Sequence, residues 1–198
     1  AKTVQYSLAD KWNLVSVPLT VDDYHNAVLY PKGISKAFAY EGTYVVKSTL
    51  ANAIGYWVMF SGSQTVSMTG FLRTMDTIDV AVGWNLIGSI SSPIAVSSIT
   101  SLPGGIVTSH FYGYNSGYTN AATIEPGKGY WVNVNQGGKL ILGSSSGAAS
   151  ESNRIRIGPS AETPPPPPNG RTQARLPLDF ALEQNYPNPF NPTTSIHY

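Results

Sequence analysis

Three blocks of the first 143 residues recur in the same order. Trp12-Asn13-Leu14-Val15 recurs 72 residues on as Trp84-Asn85-Leu86-Ile87. Phe38-Ala39-Tyr40 with Tyr44 recurs 74 residues on as Tyr112-Gly113-Tyr114 with Tyr118, and Gly55-Tyr56-Trp57-Val58 recurs as Gly129-Tyr130-Trp131-Val132 at the same offset. Three blocks return in one order at nearly one spacing, which is the mark of a duplicated structural unit. The offset grows by two, so a loop between the first and second blocks is longer in the second copy. A single unit of roughly 70 residues buries too little apolar surface to be comfortable alone. The two copies are therefore expected to share a core as one pseudo-symmetric domain.

Each block reads as a strand. Tyr56-Trp57-Val58-Met59-Phe60 and Tyr130-Trp131-Val132-Asn133-Val134 are aromatic and β-branched, residues that suit a pleated surface. Turn signals separate them at Glu41-Gly42, Ser61-Gly62, Asn115-Ser116-Gly117, Pro126-Gly127 and Gly137-Gly138. Further strands are expected over 64–69, 77–82 and 139–142. A short helix is predicted over 24–29, with Asp22 or Asp23 as N-cap and Pro31 closing it. The matching stretch of the second copy, 94–101, is Ser-rich and β-branched and need not be helical. The expected class is all-β: copies at about 1–75 and 76–143 in one module over 1–158, sandwich-like or a semi-closed barrel.

Charged residues make up 12% of the chain, about half the usual share. Ser, Thr, Asn, Gly and Tyr must therefore cover the surface, as they do in many exported β-proteins. Net charge is +1 with no run of Lys or Arg, which speaks against a nucleic-acid partner. The absence of cysteine excludes disulfides and thiolate metal sites. No apolar run approaches the ~20 residues of a membrane helix, so no transmembrane segment is expected. No cofactor is predicted.

Beyond the second copy the character changes. Ser144 to Ser150 is a low-complexity loop, and Arg154-Ile155-Arg156-Ile157 alternates like a charged edge strand. Pro164 to Pro168 are five consecutive prolines, and ten of the 15 prolines fall between Pro159 and Pro192. Such a run favours polyproline II, spanning roughly 15 Å at about 3.1 Å per residue. A semi-rigid spacer over 159–179 is the favoured reading, and a ligand for an SH3-type domain the lesser one. Residues from about Ser160 onward are expected to be poorly packed against the module.

After the spacer stands Leu182-Glu183-Gln184-Asn185-Tyr186-Pro187-Asn188-Pro189-Phe190-Asn191-Pro192, continuing through Thr193-Thr194-Ser195-Ile196. Its Asn-Pro pairs hold extended and turn conformations, and Tyr186 and Phe190 can anchor them. This string closely resembles the start of the type A C-terminal sorting domain of the type IX secretion system of Bacteroidota and their relatives. The resemblance covers residues 180–198. It implies a small β-sandwich, continuing past its first strand at Tyr198, that takes a periplasmic passenger across the outer membrane. It also implies the type IX machinery as partner and an extracellular or outer-membrane surface location, reached through the periplasm. The WNL…GYWV repeat resembles modules found just upstream of such sorting domains in large exported proteins, which implies location and no chemistry.

Catalytic constellations are thin. Gly143-Ser144-Ser145-Ser146-Gly147 matches the nucleophile-elbow pattern, but Ala148 to Asn153 lacks the amphipathic helix that the elbow needs. His25, His110 and His197 have no companion ligand at metal spacing. Seven carboxylates precede residue 150: Asp10, Asp22, Asp23, Glu41, Asp76, Asp79 and Glu125. Caps, strand flanks and turns account for them better than acid–base work. No catalytic residue is assigned, and the chain is read as a non-enzyme with a structural or adhesive role. The alternative is a carbohydrate-binding accessory module of a larger exported enzyme, with a surface polysaccharide as partner. Tyr56, Trp57, Tyr114, Tyr118, Tyr130 and Trp131 would then stack on sugar rings. Core filling is the favoured role of the repeated aromatics, because a duplicated core needs the same large residues twice. Since neighbours on a strand point to opposite faces, one of each Tyr-Trp pair is expected in the core and the other at the surface.

Overall fold

The computed structural model describes residues 1–143, 164–166 and 168. These residues are β-structure with one four-residue helix and one short 3-10 turn. The first copy runs β1 (Lys2–Leu8), β2 (Lys11–Ser16), β3 (Leu19–Thr20), α1 (Asn26–Leu29), β4 (Ala37–Tyr40), β5 (Tyr44–Lys47), β6 (Gly55–Phe60) and β7 (Gln64–Leu72). The second runs β8 (Met75–Val80), β9 (Gly83–Ile87), β10 (Ile94–Ala95), a 3-10 turn (Val96–Ser98), β11 (Thr100–Leu102), β12 (Phe111–Tyr114), β13 (Tyr118–Ala121), β14 (Thr123–Ile124), β15 (Tyr130–Val134) and β16 (Gly138–Gly143). Every pairing between these strands is antiparallel.

The copies build matching sheets. The order β2-β6-β4-β5 is repeated by β9-β15-β12-β13, and the pair β1-β7 by β8-β16. Local devices recur with them. Asn13 accepts from the Ala9 N–H at 2.9 Å and donates to the carbonyls of Ala9 and Lys11. Asn85 does the same with Ala81 and Gly83. The amide thus closes the turn that leads into each WNL strand, and the residue at its apex has positive φ in both copies, Lys11 at 69° and Gly83 at 93°. The Tyr56 hydroxyl accepts from the Ala51 N–H, and that of Tyr130 from the Glu125 N–H, each at 2.9 Å.

Alternation sorts the side chains. Tyr56, Val58 and Phe60 of β6 join Tyr6 and Leu8 of β1 and Val66 and Met68 of β7 in one core. Tyr130, Val132 and Val134 of β15 join Ile78, Val80, Leu140 and Leu142 in a second. Each copy is therefore a sandwich-like half with its own core. The opposite faces of the two four-stranded sheets meet in a third cluster, centred on Leu14, Trp57, Leu86 and Trp131. Two expectations are refined. The core that the copies share is this layer, beside a separate core in each copy, and neither member of either Tyr-Trp pair lies at the surface. Both members of each pair are buried, because each central sheet is covered on both sides.

The halves are also stitched by reciprocal backbone contacts. Val15 bridges Lys128 and Ile54 bridges Ile87. The Ser16 N–H donates to the Gly127 carbonyl and the Gly88 N–H to the Ala53 carbonyl. The buried hydroxyls of Ser16 and Ser89 lie 2.8 Å apart at the junction. A Cβ on Gly55 would stand 2.6 Å from the Ile87 carbonyl oxygen, whereas one on its counterpart Gly129 would stand 3.1 Å from that of Val15. Gly55→Ala is therefore expected to cost about 1–3 kcal/mol and Gly129→Ala clearly less. Urea unfolding of the two variants tests this, and equal costs would contradict the difference in approach.

Two local expectations need correction. The helix covers 26–29 rather than 24–29, and neither Asp22 nor Asp23 caps it. His25 is the N-cap residue and makes no side-chain cap, while Asp23 accepts from the His25 N–H at 2.8 Å, two residues too early. The strands predicted over 64–69, 77–82 and 139–142 occur at 64–72, 75–80 and 138–143. The edge strand expected at 154–157, the Ser144 loop and the whole 180–198 segment lie outside the described residues.

Candidate functional site

The layer between the halves is a two-fold arrangement of aromatic rings. Trp57 and Trp131 follow Tyr56 and Tyr130 as third residues of β6 and of the corresponding stretch 129–134, so the pleat turns them away from their own cores. Cross-strand neighbours extend each row: Trp57 lies opposite Leu14 and Phe38, Trp131 opposite Leu86 and Tyr112. Each tryptophan then packs on tyrosines of the other copy. The Trp57 ring is 4.7 Å from Tyr114 and 6.4 Å from Tyr118, and the Trp131 ring is 4.8 Å from Tyr40 and 6.5 Å from Tyr44. Interplanar angles of 67–80° make these edge-to-face contacts, the arrangement favoured by ring quadrupoles.

At the open side of this layer sit Tyr44 and Tyr118, first residues of β5 and β13. Their hydroxyls meet the proline run. Tyr44 donates to the Pro166 carbonyl at 2.5 Å, with Pro165 a second acceptor at 3.5 Å. Tyr118 donates to the Pro165 carbonyl. Pro164 and Pro168 are buried and Pro165 half-buried. Burial pushes the pKa of both tyrosines well above the ordinary phenol value, so they are neutral donors at any physiological pH. The indole N–H groups of Trp57 and Trp131 are buried without a hydrogen bond of ordinary geometry. Their influence is felt at the same hydroxyls, Trp57 at Tyr44 and Trp131 at Tyr118, where it lowers a pKa that burial raises.

The proline run was expected to stand clear of the module, and at Pro164–Pro166 and Pro168 it does not. Sequence reasoning singled out Tyr118 and the prolines separately. No periodicity links residue 118 to residue 165; the only available signal was the pairing of duplicated tyrosines with a donor-free segment elsewhere in the chain.

Of the six aromatics considered for sugar stacking, Tyr56, Trp57, Tyr130 and Trp131 are buried against protein, and Tyr114 and Tyr118 are half-buried in the aromatic layer. Compared with protein-family models, curated proteins and solved structures, the chain matches none.

Most carboxylates are engaged in local structure. Asp10 accepts from the Gly62 N–H, Glu41 pairs with Lys47, Asp76 with Arg73 and Asp79 with Lys139. Asp23 is held below the usual carboxylate range, first by the His25 backbone N–H and then by the His25 ring, the opposite of what a general acid needs. Asp22 and Asp23 line a shallow cleft with Val21, Val28, Ser67 and Thr69. Among the described residues no group of three or more His, Asp or Glu could hold a metal ion, and no helix is long and apolar enough to cross a membrane.

Proposed function

We infer that this chain is a non-catalytic structural or adhesive module of an exported bacterial protein, carried to the cell surface or medium by type IX secretion. The string at 182–196 carries the reading. Support for the structural role comes from the aromatic residues: ten of the 18 that are described belong to the layer that joins the two half-modules. A duplicated, low-charge β-body preceding an export signal suits a stalk or spacer that holds other domains off the membrane. The finer architecture belongs to the same reading: tandem pseudo-symmetric units over 1–158, a proline-rich linker over 159–179 and the opening of a β-sandwich sorting domain from 180.

The test is fractionation of an epitope-tagged protein in a type IX-competent bacterium. A passenger carrying this module and a complete sorting domain beginning with the 182–196 string is expected in the medium or on the surface. Replacing Tyr186 and Phe190 by Ser should hold it in the periplasm. Export that ignores these replacements would overturn the assignment. The purified chain should turn over neither esters nor glycans. Turnover abolished by Asp22→Asn or Asp23→Asn would instead make it an enzyme. The carbohydrate-binding alternative is favoured by one observation, the partly open tyrosines at 40, 44, 114 and 118. It predicts glycan-array binding that Tyr114→Ala removes.

A further inference from the structure

We propose that the aromatic layer between the two copies is a binding site for an extended, uncharged, proline-rich segment, and that this chain's own proline run occupies it in cis through Pro165 and Pro166. The inference is independent of the export reading. It rests on the hydroxyls of Tyr44 and Tyr118, which occupy equivalent positions in the two copies and converge on adjacent carbonyls, Pro166 and Pro165. Two neighbouring acceptors in one chain are thus held by a donor from each half of the module.

Proline suits this site for physical reasons. It has no N–H, so a proline run cannot satisfy its carbonyls internally, and apart from water only donors from elsewhere in the protein can meet them. Its ring is a compact apolar body that packs on aromatic faces, and its backbone is already extended, so little conformational entropy is lost on docking. The site supplies the matching half: tyrosine rings at 40, 44, 114 and 118 backed by buried Trp57 and Trp131, and two phenol donors kept neutral. Both contacts from the site go to backbone carbonyls, so no charged group is required of the ligand. The site is incomplete in either copy alone, because each tryptophan is walled by the tyrosines of the other.

The experiment uses the full chain with Pro164 to Pro168 replaced by an alternating Gly and Ser stretch of the same length. A synthetic peptide of the sequence from Thr163 to Asn169 is titrated into it and followed by calorimetry and tryptophan fluorescence. Saturable one-to-one binding is expected. The unaltered chain should bind the peptide at least about tenfold more weakly, because its own run competes at high effective concentration. Adding Tyr44→Phe or Tyr118→Phe to the replaced chain should weaken the peptide by about three- to tenfold each, with circular dichroism unchanged. A peptide with Ala for every Pro should not bind. The proposal is overturned by absence of saturable binding, by equal affinity for altered and unaltered chains, or by indifference to both phenylalanine variants. Concentration-dependent dimerisation of the unaltered chain that the Gly-Ser replacement abolishes would also overturn it, placing the run of a second copy in the site.

Discussion

Trp57→Ala is expected to lower stability by about 3–5 kcal/mol, and Trp131→Ala by nearly the same amount. Each indole is wholly buried, and each lies where the two halves meet rather than inside one of them. Removing Trp57 takes the wall from Tyr114 and Tyr118 and the edge contact from Trp12, whose ring is 6.1 Å away. Removing Trp131 does the same to Tyr40, Tyr44 and Trp84. The rim is rigid sheet, so the cavity cannot easily collapse. Because both side chains belong to one layer, the double variant should lose less than the two single losses added together. Urea unfolding gives all three values. Costs below about 1 kcal/mol, or values that differ widely between the two sites, would show that the layer is not the joint described above.

A second large effect is expected in alkali. The Tyr6 and Tyr30 hydroxyls are buried 2.9 Å apart, and Tyr30 donates onward to the Ser16 carbonyl at 2.9 Å. Burial raises both pKa values far above that of an ordinary phenol. Tyr56 and Tyr130 are pushed up to about 12, again by burial. An unfolded tyrosine ionises near pH ~10. Below that pH both states keep the proton and nothing is lost. Above it the unfolded chain sheds protons that the folded chain retains, so stability falls as pH rises. Each fully buried phenol removes up to about 1.4 kcal/mol per pH unit, so Tyr6 and Tyr30 together remove roughly 2–3, and Tyr56 and Tyr130 add to the loss up to pH about 12. The stability curve should be flat around neutrality and drop steeply beyond pH ~10, with phenolate absorbance rising together with loss of tertiary structure. Smooth tyrosine ionisation near pH ~10 in a chain that stays folded would contradict the burial of these side chains.

The sequence made the duplication legible because it preserves the residues that each copy needs. WNL keeps an asparagine that closes a turn, and GYWV keeps a glycine where backbones approach and a tryptophan for the joint. It misled about which side of the sheet is wet. Alternation of Tyr56 with Trp57 shows two faces but not what covers them, and in a duplicated chain the second cover is the other copy. The Asp22 and Asp23 cap was plausible on residue type alone. It failed because the local bond from Asp23 to the His25 N–H and ring comes before the helix begins. The proline run offered no pattern that reports tertiary contact, since a donor-free segment reads as a spacer until side chains are found at its carbonyls.

The joint between the halves has a consequence for the order in which the chain acquires structure. Its bonds span most of the module: Ser16 reaches Ser89, 73 residues on, and the Lys128 carbonyl, 112 residues on. A first copy that has folded before the second is in place presents Trp12, Leu14, Phe38, Tyr40 and Trp57 as one greasy face. That face fits the second half of any molecule, since the two halves use the same residues to meet. What favours the correct marriage is the tether: β7 ends at Leu72 and β8 begins at Met75, so Arg73 and Thr74 alone separate the copies and keep the proper mate always nearest. Shortening that two-residue hinge, so that the halves can no longer reach each other within one chain, should drive exchanged pairs, the same aromatic joint then closing between chains, which size-exclusion chromatography would read as a dimer.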